Sequence, residues 1–203
     1  MTGENGETMT QQIEIGHLLS AGTSQFTVGC SVSQLNVPSF GALVRAPLGQ
    51  DYQVYGLIHD IHIDDDGLVR QLVTADNVSE EVMRDNRERR IVPVEMSVLA
   101  VGYEQDGKIH HLLPPRPPLS LDVIYLCDDK DVARFTEKFG YFRHVLNAKD
   151  IPIGEVLAAH IRQAQSAHKD KSWKEKATQE VITLLRDDYP TLMAVLGALG
   201  EVI

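Results

Sequence analysis

The sequence predicts an α+β protein in which a small closed or Greek-key β-barrel is followed by a helical segment. Three observations lead to this prediction. Short stretches of alternating apolar and polar residues fill residues 13–128, and turns rich in Gly and Asp separate them. A proline-rich segment, Pro114–Pro118, comes after the last hairpin, and apolar residues at helical spacing fill residues 129–203. Six or more short strands of this kind are typical of a small barrel.

The first twelve residues differ in character from the rest of the chain. Met1–Gln12 is polar and acidic, and we expect a disordered tail there because these residues offer little apolar surface to bury. From Ile13 onward, apolar side chains alternate with polar ones, which is the pattern of half-buried strands. The predicted strands are Ile13–Leu19, Phe26–Cys30, Ala42–Ala46, Tyr52–Ile63, Leu68–Val73, Val92–Gly102, Lys108–Leu113 and Leu121–Cys127.

The longest predicted strand is Tyr52–Ile63, and the turn Asp64–Gly67 comes after it, with a glycine available for positive φ. Side chains alternate between the two faces of a strand, so every second residue shares a face. One face of this strand is therefore predicted to carry Tyr55, Leu57, His59, Ile61 and Ile63.

A metal site is geometrically possible at the end of this strand, within the segment His59–Asp66. Asp60, His62 and Asp64 fall on one face, and carboxylate and imidazole groups together can bind a transition metal. A solvated strand face that runs into an acidic hairpin explains the same residues, and we favour this interpretation. Metal-dependent activity at His59–Asp66 stays the minor alternative, and no metal, cofactor or catalytic residue is predicted.

Helix-start signals divide the rest of the chain into four predicted helices. Each apolar stripe is preceded by a side chain that can accept a hydrogen bond from a free backbone N–H. The predictions are a helix from Asp128 or Asp129 through Lys138, one introduced by Asp150 and Pro152, one with a capping box of Ser172 and Glu175, and Thr191–Leu199 behind Asp188 and Pro190.

Charge and composition argue against several classes of protein. The net charge of -10 lies in residues 1–128, because residues 129–203 carry equal numbers of acidic and basic side chains. Such a charge opposes general attraction to nucleic acid or anionic membranes, and no apolar run is long enough for a membrane helix. No stretch matches a phosphate-binding loop, a dinucleotide-binding glycine motif or a nucleophile elbow, so nucleotide hydrolysis is not expected.

The two cysteines argue against a secreted, disulfide-rich domain. Cys30 and Cys127 are too few for the disulfide framework of a secreted domain, and each lies in an apolar strand where a small buried side chain is expected. Residues 1–12 contain no apolar segment of the secretory type. A cytoplasmic protein is therefore the expected class.

Two clusters of basic side chains are local exceptions to the acidic charge, and both are candidate contacts for a protein partner or for phosphates. In the first cluster, Glu80 and Glu88 lie four residues from Arg84 and can neutralise it on a helix surface, which is the interpretation we favour. The candidate contacts are Arg84, Arg87, Arg89 and Arg90 in one stretch and Lys169, Lys171, Lys174 and Lys176 in another.

The last predicted helix is apolar on nearly all sides, so it has to be covered by the barrel of its own chain or by another subunit. Four of its residues have the spacing i, i+3, i+4, i+7 and form one stripe. This stripe is the candidate subunit interface, and it consists of Leu192, Val195, Leu196 and Leu199.

Several short motifs of the barrel region resemble the HAS-barrel family. This is the small barrel shared by HerA-type DNA-translocating ATPases and by the N-termini of ATP synthase catalytic-ring subunits. The similarity spans residues Ile13–Lys138. The motifs that carry it are Gly41–Arg45, Val54–Ile58, Ser97–Tyr103, Asp106–Lys108, Leu113–Pro118 and Asp122–Leu126 with the acidic helix start behind it.

The chain departs from that family at the position where the ATPase core would come after the connector. Only a helical segment remains there, and no Walker motif can be matched, so the resemblance does not imply ATPase activity. Because the barrel packs side by side in rings in its larger relatives, the resemblance implies a standalone barrel that is used for assembly.

Two functions from different classes compete. The first is a non-enzymatic interaction or assembly module that forms homo-oligomers or partners an ATPase or nuclease of the HerA type in DNA processing. The alternative is a nucleic-acid-associated accessory protein that uses the Arg84–Arg90 or Lys169–Lys176 clusters as phosphate contacts.

Overall fold

The computed structural model describes residues 12–31, 38–63, 79–80 and 93–200. Among the elements whose full bounds fall in these ranges, the strands precede the helices, as the sequence predicts. The elements in chain order are β1 (Ile13–Ala21), β2 (Gln25–Ser31), β3 (Leu43–Pro47), β4 (Tyr52–Ile63), β5 (Pro93–Gln105), β6 (Lys108–His110), β7 (Val123–Leu126), α1 (Asp129–Phe135), α2 (Phe142–Leu146), α3 (Ile153–Ala167), α4 (Trp173–Leu184) and α5 (Tyr189–Gly200).

Several predicted features lie outside the described residues and stay predictions. They include the tail up to residue 11, the turn Asp64–Gly67 and the strand Leu68–Val73. The first basic cluster lies outside them as well, and it consists of Arg84, Arg87, Arg89 and Arg90.

Six antiparallel strands close into a barrel, which confirms the predicted fold class. The strands succeed one another around the barrel in the order β1, β2, β5, β4, β3 and β7, and β7 pairs again with β1. Closure leaves none of these six strands with a free edge. The additional strand β6 pairs with β5 as the second arm of a hairpin.

The interior of the barrel is filled by apolar side chains from all six strands. Fully burying a side chain of the Val, Leu or Phe type stabilises a fold by roughly 1.5–3 kcal/mol, so this interior is the main reason the strands close. The larger buried members are Ile15, Leu18, Phe26, Val28, Val44, Tyr52, Val54, Ile58, Met96, Val98 and Ile124.

A β-bulge interrupts the alternation of β4. Ile58 pairs with Val98 and Asp60 pairs with Ser97, which leaves His59 as the extra residue of the bulge. The prediction that Ile61 shares the face of His59 is therefore wrong, because the bulge shifts the phase and Ile61 packs against the barrel interior.

The helix starts agree with the sequence in part. The Asp128 side chain caps α1 by accepting a hydrogen bond from the amide of Asp131 at 2.8 Å, as predicted. The predicted capping box of Ser172 and Glu175 is wrong, since the Ser172 hydroxyl donates to Asp170 two residues earlier and makes no bond to α4. The short helix α2 has no counterpart among the predictions.

A second core lies between the outer face of the barrel and the helices. Leu43, Tyr55 and Leu57 point outward from β3 and β4 into this core, and Leu99 and Val101 of β5 join them. The helices cover these side chains, and α3 is central because it contacts α1, α2, α4, α5 and β4. The helix residues and flanking residues buried in this core include Phe135, Tyr141, Phe142, Val145, Val156, Leu157, Ile161, Trp173, Ala177, Val181, Val195 and Leu199.

Candidate functional site

The proline-rich connector, residues 111–122, joins β6 to β7 and is held against the barrel. Pro114 and Pro118 are buried, and the guanidinium of Arg116 lies 4.9 Å from the centre of the Tyr52 ring. The Tyr52 hydroxyl donates a hydrogen bond to the carbonyl oxygen of Arg116 at 3.3 Å. These contacts are those of a structural connector packed on the barrel.

The connector ends in a tight turn over Leu119–Asp122. The amide of Asp122 donates to the carbonyl of Leu119 at 3.1 Å, and the amide of Leu119 donates back to the Asp122 carboxylate at 2.7 Å. Leu121, the third residue of the turn, has a φ of 72°. Turns with positive φ at this position favour glycine, because a Cβ there costs roughly 1–2 kcal/mol.

Backbone hydrogen bonds fix this turn to the end of β1. The amide of Leu121 donates to the carbonyl of Leu18, and the amide of Leu18 donates to the carbonyl of Asp122, both at 2.9 Å. The Leu18 side chain points into the barrel, whereas Leu19 beside it faces outward. The turn therefore places the backbone of Leu121 beside that of Leu18, one residue from Leu19.

The side chains of this region are unusually exposed for leucines. The exposed fraction is 76% for Leu121, 66% for Leu119 and 49% for Leu19. We call these three residues the leucine turn. All three are brought to the same turn by the chain path and its backbone bonds to Leu18, and exposed apolar surface that gathers in one region of a folded protein typically marks a contact with another protein. The strained backbone of Leu121 is a second reason to expect a functional contact at this turn, since such strain is concentrated at functional sites.

A buried polar network joins the barrel to α1. The Glu104 carboxylate, which is 8% exposed, accepts hydrogen bonds from Gln53 at 2.6 Å, from the Tyr55 hydroxyl at 2.9 Å and from Arg134. Burial raises the pKa of Tyr55, so its hydroxyl stays protonated and donates. Because three donors from two elements converge on one carboxylate oxygen, Oε2, the network fits a structural role.

A second polar link connects β3 to the same helix. The Arg45 Nε lies 3.0 Å from a carboxylate oxygen of Asp131, and the guanidinium also lies 5.4 Å from the centre of the Tyr125 ring. Burial raises the pKa of Asp131, and the nearby Arg45 opposes that rise. This pair holds α1 against the strand with few contacts to solvent.

His160 forms a third link, between α3 and the loop before β3. Its Nδ1 lies 3.1 Å from the carbonyl oxygen of Gly41 and its Nε2 lies 2.8 Å from the Tyr141 hydroxyl. The carbonyl can only accept, so Nδ1 carries the proton and Nε2 accepts from Tyr141. Burial lowers the pKa of His160 to about 4, so the ring is neutral at pH 7.

The candidate metal segment is only partly described, because Asp64–Asp66 lie outside the described residues. The His62 Nδ1 lies 3.2 Å from Asp60, and its Nε2 lies 3.8 Å from Glu95 on the neighbouring strand. Within the described ranges, no three His, Cys, Asp or Glu side chains are arranged to hold a metal ion. The pairs found here match the solvated strand face that we favour.

The second basic cluster lies on the surface around the start of α4. Lys169 and Lys171 are exposed and Lys174 is partly exposed. The Lys176 ammonium lies 2.8 Å from Asp170 and holds the pKa of that carboxyl well below its usual range. One of the four lysines is therefore paired within the chain.

The candidate subunit interface is divided by the structure. Val195 and Leu199 are buried against the chain's own second core, and Leu192 packs against it from the side. α3 is the helix that packs most closely on α5. For Val195 and Leu199, burial within the same chain is therefore the one of the two predicted alternatives that the structure favours. A subunit contact through the rest of the stripe stays a prediction. Leu196 is partly exposed. The exposed side of α5 carries Tyr189 and Met193 instead.

The two cysteines differ in environment. Cys127 is buried as expected, whereas Cys30 is only partly buried, and both are free thiols. Burial raises the pKa of each thiol, so neither is activated as a thiolate.

The leucine turn has no counterpart among the predictions from sequence, which place Leu121 in a strand. The signal that could have found it is Asp122 behind the prolines, since an Asp side chain can accept a hydrogen bond from a neighbouring backbone amide and so stabilise a turn. The bulge at His59 carries no comparable signal in the sequence.

No model of a known protein family matches the chain, and no curated protein matches it in sequence. The resemblance to the HAS barrel therefore rests on short motifs of the barrel region alone. Among the described residues, no helix is both long and apolar enough to cross a membrane.

Proposed function

We propose that this chain is a non-enzymatic interaction and assembly module in which copies of the protein associate through the leucine turn. The observation that carries the proposal is Leu121, whose side chain is 76% exposed on a backbone with a φ of 72°. Glycine would relieve the strain at this position, and a polar side chain would avoid exposing apolar surface. A leucine here is explained by contact with another molecule.

The surroundings of the turn support the same proposal. Two backbone hydrogen bonds to Leu18 make the turn rigid, so little conformational entropy is lost when a partner covers it. The resemblance to HAS barrels, which pack side by side in rings, favours a second copy of the chain as the partner. An ATPase or nuclease of the HerA type is the hetero-partner that the same resemblance suggests.

The substitution Leu121→Gly tests this proposal, because it separates association from stability. Glycine accepts positive φ without strain, so the melting temperature should be unchanged or slightly raised. Loss of the exposed side chain should nevertheless weaken self-association, measured by sedimentation velocity over a wide range of protein concentration. The matched control is Leu112→Gly, which removes an exposed leucine at the other end of the connector.

Two outcomes would contradict the proposal. The parent protein could remain a monomer at every concentration, which would exclude self-assembly. Alternatively, Leu121→Gly could associate as strongly as the parent and as Leu112→Gly, which would exclude the leucine turn as the contact.

A second candidate function is contact with nucleic acid through the lysine cluster. It is supported by Lys169, Lys171 and Lys174, which are close in sequence and at least partly exposed, in a part of the chain without net negative charge. Clustered lysines of this kind can neutralise phosphates and release counterions. The pairing of Lys176 with Asp170 reduces the charge available for this purpose.

A further inference from the structure

A cleft of about 640 Å³ lies between the barrel and the segment that joins α2 to α3. Its volume is in the range of small-molecule sites. Leu113, Ala148 and Ile151 supply its accessible apolar surface, whereas Leu99 and Ala100 of β5, which also line it, are buried in the protein's two cores. The cleft takes no part in the leucine turn, so its use is independent of the proposed assembly.

Cationic side chains stand at the opening of the cleft. Arg143 and Lys149 line it and are exposed, and Asp150 is the one acidic residue of the described lining. Arg143 donates a hydrogen bond to the carbonyl of His111 at 2.5 Å, which anchors the guanidinium. This bond does not use the other N–H groups of the guanidinium, which can donate to a ligand. An excess of positive charge here is notable in a chain whose net charge is -10.

Two imidazoles also line the cleft. His59 reaches the cleft from the bulge of β4, and its buried Nε2 has no hydrogen-bond partner among the described residues. His144 places its Nε2 3.1 Å from the carbonyl of His111. A buried nitrogen without a partner is unfavourable, and a bound group that reorients the His59 ring could supply the missing bond.

We infer that this cleft binds a small organic anion with an apolar body of about the size of one or two rings. The acid group of such a ligand would lie against Arg143 and Lys149, and its body would cover Leu113, Ala148 and Ile151. An inorganic phosphate could use only the cations and would leave the apolar wall exposed to water. A neutral apolar ligand would leave the cations without a counter-charge.

The probe for this site is 1-naphthoate, with the neutral 1-naphthamide and inorganic phosphate as comparisons. Calorimetry should give saturable binding of one naphthoate per chain, and naphthamide should bind at least about tenfold more weakly, since it lacks charge-assisted hydrogen bonds. Imidazole NMR signals of His59 and His144 should shift during the titration. Those of His17 and His62, which lie outside the cleft, should not.

Variants on the surface of the cleft make the test specific. The double variant Arg143→Gln/Lys149→Gln should lose about tenfold in naphthoate affinity, because it removes the charged partners of the acid group. Its matched control is Arg186→Gln/Lys108→Gln, which changes the net charge equally at exposed positions outside the cleft and should bind like the parent. The exposed Ser24→Phe should block the opening and abolish binding.

The inference is overturned if naphthoate does not saturate, or if the two double variants lose affinity equally. It is also overturned if Ser24→Phe binds like the parent while its melting temperature is unchanged. Binding of phosphate as strong as that of naphthoate would assign the site to a simple anion and would contradict the apolar part of the inference.

Discussion

The imidazole of His160 accepts a hydrogen bond from the Tyr141 hydroxyl at 2.8 Å, in a position where both side chains are buried. The other ring nitrogen donates to the carbonyl of Gly41, so the neutral ring joins α3, the segment before α2 and the loop before β3. Protonation of Nε2 would remove the acceptor that the Tyr141 hydroxyl uses. It would also leave a positive charge on a buried ring.

We predict that acid destabilises the protein through His160. In the folded chain its pKa is about 4, and in the unfolded chain it returns to its ordinary value of 6.5. Between these pH values the unfolded chain binds a proton that the folded chain does not, so stability is lost as the pH falls. By pH 4 the loss from this residue should reach about 3 kcal/mol.

Urea unfolding at several pH values measures this loss. Other histidines with lowered pKa values act in the same direction, so the parent is compared with His160→Gln, whose amide can keep both hydrogen bonds without titrating. The variant should lose less stability than the parent between pH 7 and pH 4. Equal losses in the two proteins would show that His160 titrates normally in the fold.

A second prediction concerns the close contact of Gly41 with α3. Its φ is +83°, and a Cβ added there would lie 2.7 Å from the Cβ of Ala159. Gly41→Ala should therefore destabilise the fold by at least about 2 kcal/mol, which is the sum of backbone strain and overpacking. Gly107→Ala is the control, because Gly107 has a φ of +73° but no atom within 4 Å of the added Cβ. Equal losses of stability would exclude the contact with α3.

A third prediction concerns the network around Glu104. Glu104→Leu removes the acceptor shared by Tyr55 and Arg134, so we expect a loss of about 2–3 kcal/mol in the free energy of unfolding. Glu95→Leu changes the same residue type at a partly exposed position on the same strand and should cost less than about 1 kcal/mol. Thermal denaturation of the two variants and the parent provides the comparison, and similar losses would contradict a special role for Glu104.

A fourth prediction addresses the second candidate function. Because the chain carries a net charge of -10 and Lys176 is paired with Asp170, we expect no saturable binding of duplex DNA at physiological salt. Fluorescence anisotropy with a labelled duplex measures it. Binding that weakens steeply with salt and disappears in Lys169→Gln/Lys171→Gln/Lys174→Gln would instead support an accessory role at nucleic acid.

The order of strands and helices could be predicted from the sequence because alternation and helical spacing are local properties. Features that depend on contacts between distant residues could not. Ser172 has the right spacing to Glu175 for a cap, but its hydroxyl is taken by Asp170. The bulge at His59 depends on how β4 pairs with β5, and no pattern within β4 alone indicates it.

Whether a candidate surface is covered within the chain could not be predicted from the sequence either. The apolar stripe of α5 is evident from its spacing, but the sequence does not say that α3 of the same chain covers Val195 and Leu199. The positive φ of Leu121 is hidden for a related reason, since a leucine is a poor indicator of a turn. The hydrogen bonds to Leu18 that hold this conformation come from a strand far away in the sequence.

Val54 and Tyr55 are neighbours in β4, yet the first side chain belongs to the barrel interior and the second to the core beneath the helices. The same strand thus serves two layers, so the barrel cannot be separated from the helices without exposing one of them. A fragment that ends at residue 128 would leave Tyr55, Leu57 and Val101 open to water. If this barrel were joined to a different domain, in an ancestor or in an engineered fusion, that domain would have to cover the same apolar face.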